Sequence, residues 1–166
     1  SVTDGNANLT SASTLAENLQ ELVEWRDRHA PKMPIWMTET GYDSAGPFGT
    51  TEAIQAARVP RVVMLCLANG VEKVFVYRES GSTPSRHACS GLLRNDFSPK
   101  PSWYTLETMI RQLHGVRGGA RRLPHPDKNV WLLEWQANSE PLLTAWTVND
   151  TAILGIDFGS CTVTDS

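Results

Sequence analysis

The sequence lacks the features that mark several large classes of protein. Its three cysteines, Cys66, Cys89 and Cys161, are far apart and share no Cys-x-x-Cys spacing, so neither a zinc site nor a disulfide framework is indicated. No apolar run approaches the roughly 20 residues of a membrane-spanning helix. Fifteen basic and eighteen acidic residues leave a net charge of −3 without any block of like charges. That balance argues against a nucleic-acid or anionic-membrane partner.

The periodicity of the apolar residues predicts helices and strands in alternation, followed by a piece made of strands only. Such alternation usually gives a parallel sheet with helices packed outside it, so the fold class is α/β. The pattern predicts helices at about 14–30, 51–69 and 101–114, strands at 35–40 and 71–77, and three further short strands at 129–136, 142–148 and 153–158.

The stretch from Pro34 to Tyr42 holds the strongest candidate for chemistry. It is a short apolar run that ends in Glu39 and a glycine. With period-two alternation, Ile35, Met37 and Glu39 share one face, while Trp36 points away and packs between strand and helix. A carboxylate at the C-terminal end of an apolar strand is a candidate acid, base or nucleophile. The structural alternative is a strand-end carboxylate that caps a helix or pairs with an arginine.

Other candidate residues follow the two predicted strands. Tyr42 and Phe48 lie in the loop after the first strand, where an aromatic ring can stack on a ligand or simply pack within the loop. Tyr77, Arg78 and Glu79 end the second strand, at the position that Glu39 has on the first. Arg78 and Glu79 contact a substrate in one interpretation and form a solvated pair in the other. The tryptophans of the last piece are interpreted as core in preference to a ligand-stacking surface: Trp131, Trp135 and Trp146.

Four segments in order resemble clan A glycoside hydrolases, with family 39 and family 5-like enzymes coming nearest. Pro34 to Tyr42 resembles their seventh-strand segment, in which a closing Glu is the nucleophile. The segments at 55–61 and 68–77 look like the seventh helix and eighth strand. The segment at 91–101 is similar to the sequence at the start of the last helix: Gly-Leu-Leu-Arg-Asn-Asp-Phe-Ser-Pro-Lys-Pro. Val76, in place of a frequent Trp, and Arg78, in place of an acidic residue, depart from the family pattern.

This resemblance implies the last helix-strand units of a (β/α)₈ TIM barrel over residues 1–114, a linker at 115–127, and a small antiparallel β-sandwich-like domain at 128–166. A complete barrel needs roughly 250 residues, so we expect the chain to be the C-terminal part of a longer one. The missing N-terminal part of the barrel would be its partner. Secretion or a periplasmic location is in keeping with the resemblance.

The implied activity is that of a retaining O-glycosyl hydrolase acting on an oligo- or polysaccharide, with Glu39 as the nucleophile and no metal or cofactor. Tyr42, Phe48, Tyr77, Arg78 and Glu79 would contact the substrate. The family's acid/base Glu usually follows an Asn, and no Asn-Glu pair occurs in this sequence. We therefore expect the chain alone to be inactive. The rivals are a non-catalytic carbohydrate-binding or scaffolding module and an unrelated α/β domain with a ligand at its strand ends.

Overall fold

The described part of the protein is a mixed α/β structure with two small sheets. The computed structural model describes residues 9–46, 49–80, 89–116, 118–137 and 140–148. The elements in these ranges are α1 (Leu9–His29), β1 (Trp36–Thr40), α2 (Glu52–Ala68), β2 (Lys73–Val76), α3 (Pro101–Gln112), β3 (Arg121–Arg122), β4 (Val130–Ala137) and β5 (Glu140–Thr147). This order confirms the predicted alternation, although α1 begins five residues before position 14. The strand predicted at 153–158 lies outside the described residues.

Strands β1 and β2 form a parallel pair whose carboxyl ends lie together. The Glu72 amide donates to Ile35 O at 2.9 Å where the pair begins, and the Tyr77 amide donates to Thr40 O at 2.6 Å where it ends. Met37 pairs with Val74, but Thr40 pairs with Val76, so β1 has one residue more than β2 between these pairs. Such an irregularity is a bulge, which disturbs the alternation of side chains.

The bulge overturns the predicted faces of β1. Ile35 and Met37 are half-buried and pack against the hydrophobic core, as the alternation predicts. Thr38 and Glu39 are both exposed, and Thr40 is half-buried again. Glu39 is therefore not on the core face with Met37. Trp36 is also not packed between strand and helix, because 49% of its surface is exposed.

Helix α2 is the central element of the fold, and the other helices pack against it. Thr51 caps it, because its hydroxyl accepts the Ile54 amide at 3.2 Å. Its buried stripe recurs at helical spacing and comprises Gln55, Val59, Val62 and Cys66. Helix α3 lies beside α2, where the Thr105 hydroxyl donates to Ala56 O at 2.9 Å.

The antiparallel sheet has the order β3-β4-β5, and it shares one core with the helices. Trp131 pairs with Trp146 across β4 and β5, and Trp135 pairs with Leu142. These three tryptophans are 1–8% exposed and belong to the same hydrophobic cluster as Leu15 of α1, which confirms the core interpretation. Strand β3 lies within the segment predicted as a linker.

Candidate functional site

The candidate site is the end of the parallel strand pair where Glu39 lies. Glu39 is exposed, as is Thr38 beside it. On the neighbouring strand, Tyr77 and Arg78 are half-buried and Glu79 is exposed. The pairing of the Tyr77 amide with Thr40 O brings the two strand ends together. The structure thus places Glu39, Tyr77, Arg78 and Glu79 at one end of the sheet.

Gly41 allows the backbones of the two strands to approach closely just beyond Glu39. A Cβ atom at this position would overlap the carbonyl oxygen of Tyr77. Glycine is therefore required for lack of space and not for a special backbone conformation. Gly41, two residues after Glu39, thus helps to hold Glu39 next to the end of β2.

The two aromatic residues predicted in the loop after β1 have different outcomes. Tyr42 is 5% exposed, and the Arg58 guanidinium carbon lies 5.7 Å from the centre of its ring. In this arrangement the ring is part of the core, with protein covering it. Phe48 lies outside the described residues.

Arg78 and Glu79 do not form an ion pair with each other in the described structure. The guanidinium carbon of Arg78 lies 5.7 Å from the ring centre of Tyr77. Its Nε atom is buried and has no hydrogen-bond partner among the described residues. A buried donor without a partner is uncommon in a folded protein. The backbone carbonyls of Arg78 and Glu79 accept the amides of Leu92 and Leu93 at 3.1 and 2.9 Å.

Beneath the loop that follows β1 lies a buried amide. Gln55 has no exposed surface. Its Nε2 donates to Tyr42 O at 2.7 Å and to Ser90 O at 3.1 Å, and its Oε1 accepts the Ser102 hydroxyl at 3.1 Å. One side chain of α2 thus joins the loop after β1 to the segment after β2 and to α3.

A buried lysine makes a second connection between the same segments. Lys100 is 1% exposed, and its Nζ donates to Cys89 O at 2.6 Å and to the Ser44 hydroxyl at 3.0 Å. Ser44 also donates its hydroxyl to Cys89 O at 2.8 Å. Burial lowers the pKa of the Lys100 ammonium group. The loop after Glu39 is therefore anchored by two buried polar side chains.

The described residues offer little support for other kinds of site. They contain no group of three His, Cys, Asp or Glu residues that could hold a metal ion. Burial raises the pKa of the Cys66 thiol to about 11, so this cysteine stays protonated at neutral pH and is not a nucleophile. No helix in the described ranges is long and apolar enough to cross a membrane.

Two cavities lie away from the strand ends. One, of about 320 Å³, lies between α1, the end of α2 and β4, and Leu65 and Trp131 are among its lining residues. The other, of about 520 Å³, is lined by Glu72, next to the first residue of β2. Neither includes Glu39 or Arg78, so neither belongs to the candidate site.

Comparison with solved structures shows a glycosidase-like fold. The chain is similar to a family 39 glycoside hydrolase from the gut symbiont Bacteroides cellulosilyticus WH2, with a TM-score of 0.66 and 27% identity. The match covers 79% of this chain and 27% of that one. The chain is also similar to SrfJ from Salmonella typhimurium, with a TM-score of 0.54 and 13% identity over 80% of this chain and 31% of the other. At that identity the second likeness shows the fold alone. No protein-family model matches the chain, and no curated protein does.

Sequence reasoning missed the buried side chains that support the site. Gln55 carries a signal, because it is a polar residue on the apolar stripe of a helix that also contains Val59 and Val62. Lys100 carries a weaker one, since it stands between two prolines directly before α3. Neither position indicates its partners, which lie far away in the sequence.

Proposed function

We propose that this chain carries the nucleophile of a retaining O-glycosyl hydrolase and that Glu39 is that nucleophile. The observation that carries the proposal is the exposure of Glu39 at the carboxyl end of a parallel strand pair, in a chain similar to a family 39 glycoside hydrolase. Active sites of TIM-barrel enzymes lie at this end of the strands. We propose that the helix-strand units of residues 1–114 are the last units of such a barrel.

The reaction needs a carboxylate that attacks the anomeric carbon and a second carboxyl group roughly 5 to 5.5 Å away. The second group protonates the leaving oxygen and later activates water. Glu39 has the first role in this proposal. Arg78, which is half-buried at the end of the neighbouring strand, is a substrate-binding donor in this proposal. Glu79 and Tyr77 complete the substrate-contacting set at the end of β2.

The acid/base group and the rest of the barrel come from a further polypeptide segment in this proposal. The face of the strand pair turned away from the helices supports such a partner. Trp36 and Phe75 on this face are each 49% exposed, and their ring centres are 6.4 Å apart. The Lys73 Nζ atom lies 4.3 Å from the ring centre of Trp36, and both side chains are exposed. Two neighbouring aromatic side chains are unusual on a solvent-exposed sheet face. Their apolar surface is removed from water only when another element packs against that face.

Covalent trapping tests the role of Glu39 without the acid/base group. A 2-deoxy-2-fluoro glycoside with a dinitrophenolate leaving group needs no protonation, so a nucleophile alone can displace it and keep the sugar. A panel of such gluco, xylo and manno reagents is incubated with the chain, followed by intact-mass and peptide mass spectrometry. We expect one sugar per chain on Glu39, and none on Glu39→Gln.

Glu72→Gln is the matched control, because Glu72 is an exposed carboxylate at the opposite end of the strand pair and should leave the labelling intact. Ordinary aryl glycosides should not be turned over by the chain at enzymic rates, because in this proposal the proton donor lies in the further segment. Labelling that persists in Glu39→Gln would contradict the nucleophile assignment. Rapid turnover that depends on Glu39 would keep the assignment and overturn the need for a further segment.

A further inference from the structure

Phe97 is held in an unusual conformation with its ring in solvent. It is 70% exposed, the largest value among the described large apolar side chains. Its φ angle is 63°, in the left-handed region that bulky residues rarely adopt. A residue in such a conformation persists only where its surroundings fix it, and such residues concentrate at functional sites.

The turn around Phe97 is fixed by bonds that do not involve its ring. The Phe97 amide donates to Arg94 O at 3.0 Å, and the Arg94 amide donates to Ser98 O at 2.9 Å. The Arg94 side chain donates to Pro99 O at 2.8 Å and makes bonds of 2.6 and 3.1 Å to the Glu52 carboxylate of α2. These bonds fix the turn, and the exposed ring of Phe97 takes no part in them.

Cys89 also has a positive φ angle, and in its case the backbone contacts explain the conformation. It is the other described non-glycine residue with a positive φ, 57°. Its carbonyl oxygen accepts hydrogen bonds from Lys100 and from Ser44, so its conformation serves the packing of three segments. The Phe97 backbone closes its turn in a similar way, but among the described residues its ring has no ring or cation contact.

The segment that leads into the turn lies at the end of the sheet where Glu39 is. The amides of Leu92 and Leu93 donate to the carbonyls of Arg78 and Glu79, and Leu93 forms a parallel bridge with Ser80. The segment that leads into the turn therefore extends the sheet beyond the carboxyl end of β2. Phe97 stands four residues further along.

We propose that Phe97 is a specificity-determining residue that stacks on a sugar ring of the substrate. The inference rests on the proposed glycosidase function and deepens it. The apolar face of a pyranose packs well on an aromatic ring. A ring that is already fixed in the free protein loses little conformational freedom on binding, which is the advantage of a rigid display.

The test compares saccharide binding and thermal stability in the same variants of the full chain. Xylohexaose, cellohexaose and mannohexaose are titrated calorimetrically into the wild type, Phe97→Gly, Phe97→Tyr and Trp25→Ala. Trp25 is the matched control, an aromatic residue on α1 that is 48% exposed. We expect Phe97→Gly to weaken the binding of the preferred hexasaccharide about tenfold. Phe97→Tyr should retain it within about twofold, and Trp25→Ala should not change it.

Stability separates this role from a structural one. Glycine adopts positive φ without strain, so Phe97→Gly should keep the wild-type Tm or raise it by up to about 2–4 °C. A lower Tm in Phe97→Gly would overturn the proposal, because it would show that the ring supports the fold. Unchanged binding in Phe97→Gly, equal weakening in Trp25→Ala, or no binding of any hexasaccharide by the wild type would also overturn it. Phe97-dependent binding without labelling of Glu39 would contradict the proposed catalytic function alone.

Discussion

Gln55 is the residue on which the loop of the candidate site depends most directly. Its amide has no exposed surface and bonds to Tyr42 O, Ser90 O and the Ser102 hydroxyl. A buried polar group that loses its partner keeps its desolvation cost, about 1–3 kcal/mol for each group. Removing the amide takes a hydrogen-bond partner from two carbonyls and a hydroxyl.

We expect Gln55→Leu, which nearly keeps the side-chain volume, to lower the free energy of unfolding by about 3 kcal/mol. Urea denaturation measures the change. Gln20→Leu is the control, since Gln20 is an exposed residue of α1, and it should change the free energy by less than about 0.5 kcal/mol. Similar effects of the two substitutions would show that the buried amide does not hold the loop.

At the scale of the elements, the contact between β1 and β2 depends on Gly41. A methyl group there would overlap the backbone of Tyr77, which cannot move aside as a flexible side chain can. We expect Gly41→Ala to cost about 1–3 kcal/mol of stability and to speed hydrogen exchange of the Tyr77 amide, which donates to Thr40 O.

Gly70→Ala separates this steric effect from a conformational one. Gly70 has a φ of 80° and no atom within 4 Å of an added Cβ, so alanine there should cost about 1 kcal/mol through backbone strain alone. It should leave exchange at Tyr77 unchanged. Faster exchange at Tyr77 in Gly70→Ala would mean that general destabilisation, and not the strand contact, controls that amide.

The elements themselves could be predicted from the sequence, because their apolar periodicity is a local property. The faces of β1 could not, since alternation extrapolated from Ile35 and Met37 fails at the bulge before Thr40. The extra residue becomes visible only when β1 is paired with β2. This is why the sequence predicts Glu39 at the correct strand end but on the wrong face. Trp36 lies before the bulge and still alternates with Met37, so its exposure has a different reason: it is on the face that the helices do not cover.

The supporting residues were beyond sequence reasoning for a different reason. The partners of Gln55 lie 13, 35 and 47 positions away, and those of Lys100 lie 11 and 56 positions away. Such bonds depend on how three segments meet above α2. The burial of Trp131 and Trp135 was easier to predict, because two tryptophans alternate with Leu133 on one face of a strand.

At the scale of the whole molecule, the helices and the antiparallel sheet share a single hydrophobic cluster. Trp131 stacks on Trp146 with ring centres 5.8 Å apart. The Arg122 guanidinium carbon lies 3.7 Å from the ring centre of Trp131. The same cluster includes Leu15 of α1, and Arg61 of α2 donates to a carbonyl of β5 at 3.3 Å. Unfolding one part therefore exposes apolar surface of the other.

We therefore expect one cooperative urea transition, with the same midpoint by far-UV circular dichroism, which follows the helices, and by tryptophan fluorescence. Trp131→Ala should lower the free energy of unfolding by about 3–5 kcal/mol and shift both signals together, because the cavity it leaves borders both parts. Trp103→Ala is the control, since Trp103 is 40% exposed on α3 and its loss should cost much less. Two transitions, with only the fluorescence shifted in Trp131→Ala, would show instead that the sheet unfolds as a separate domain beyond a linker at 115–127. The shared cluster argues for the first result, since Leu15 and Trp131 cannot both stay buried when either part unfolds alone.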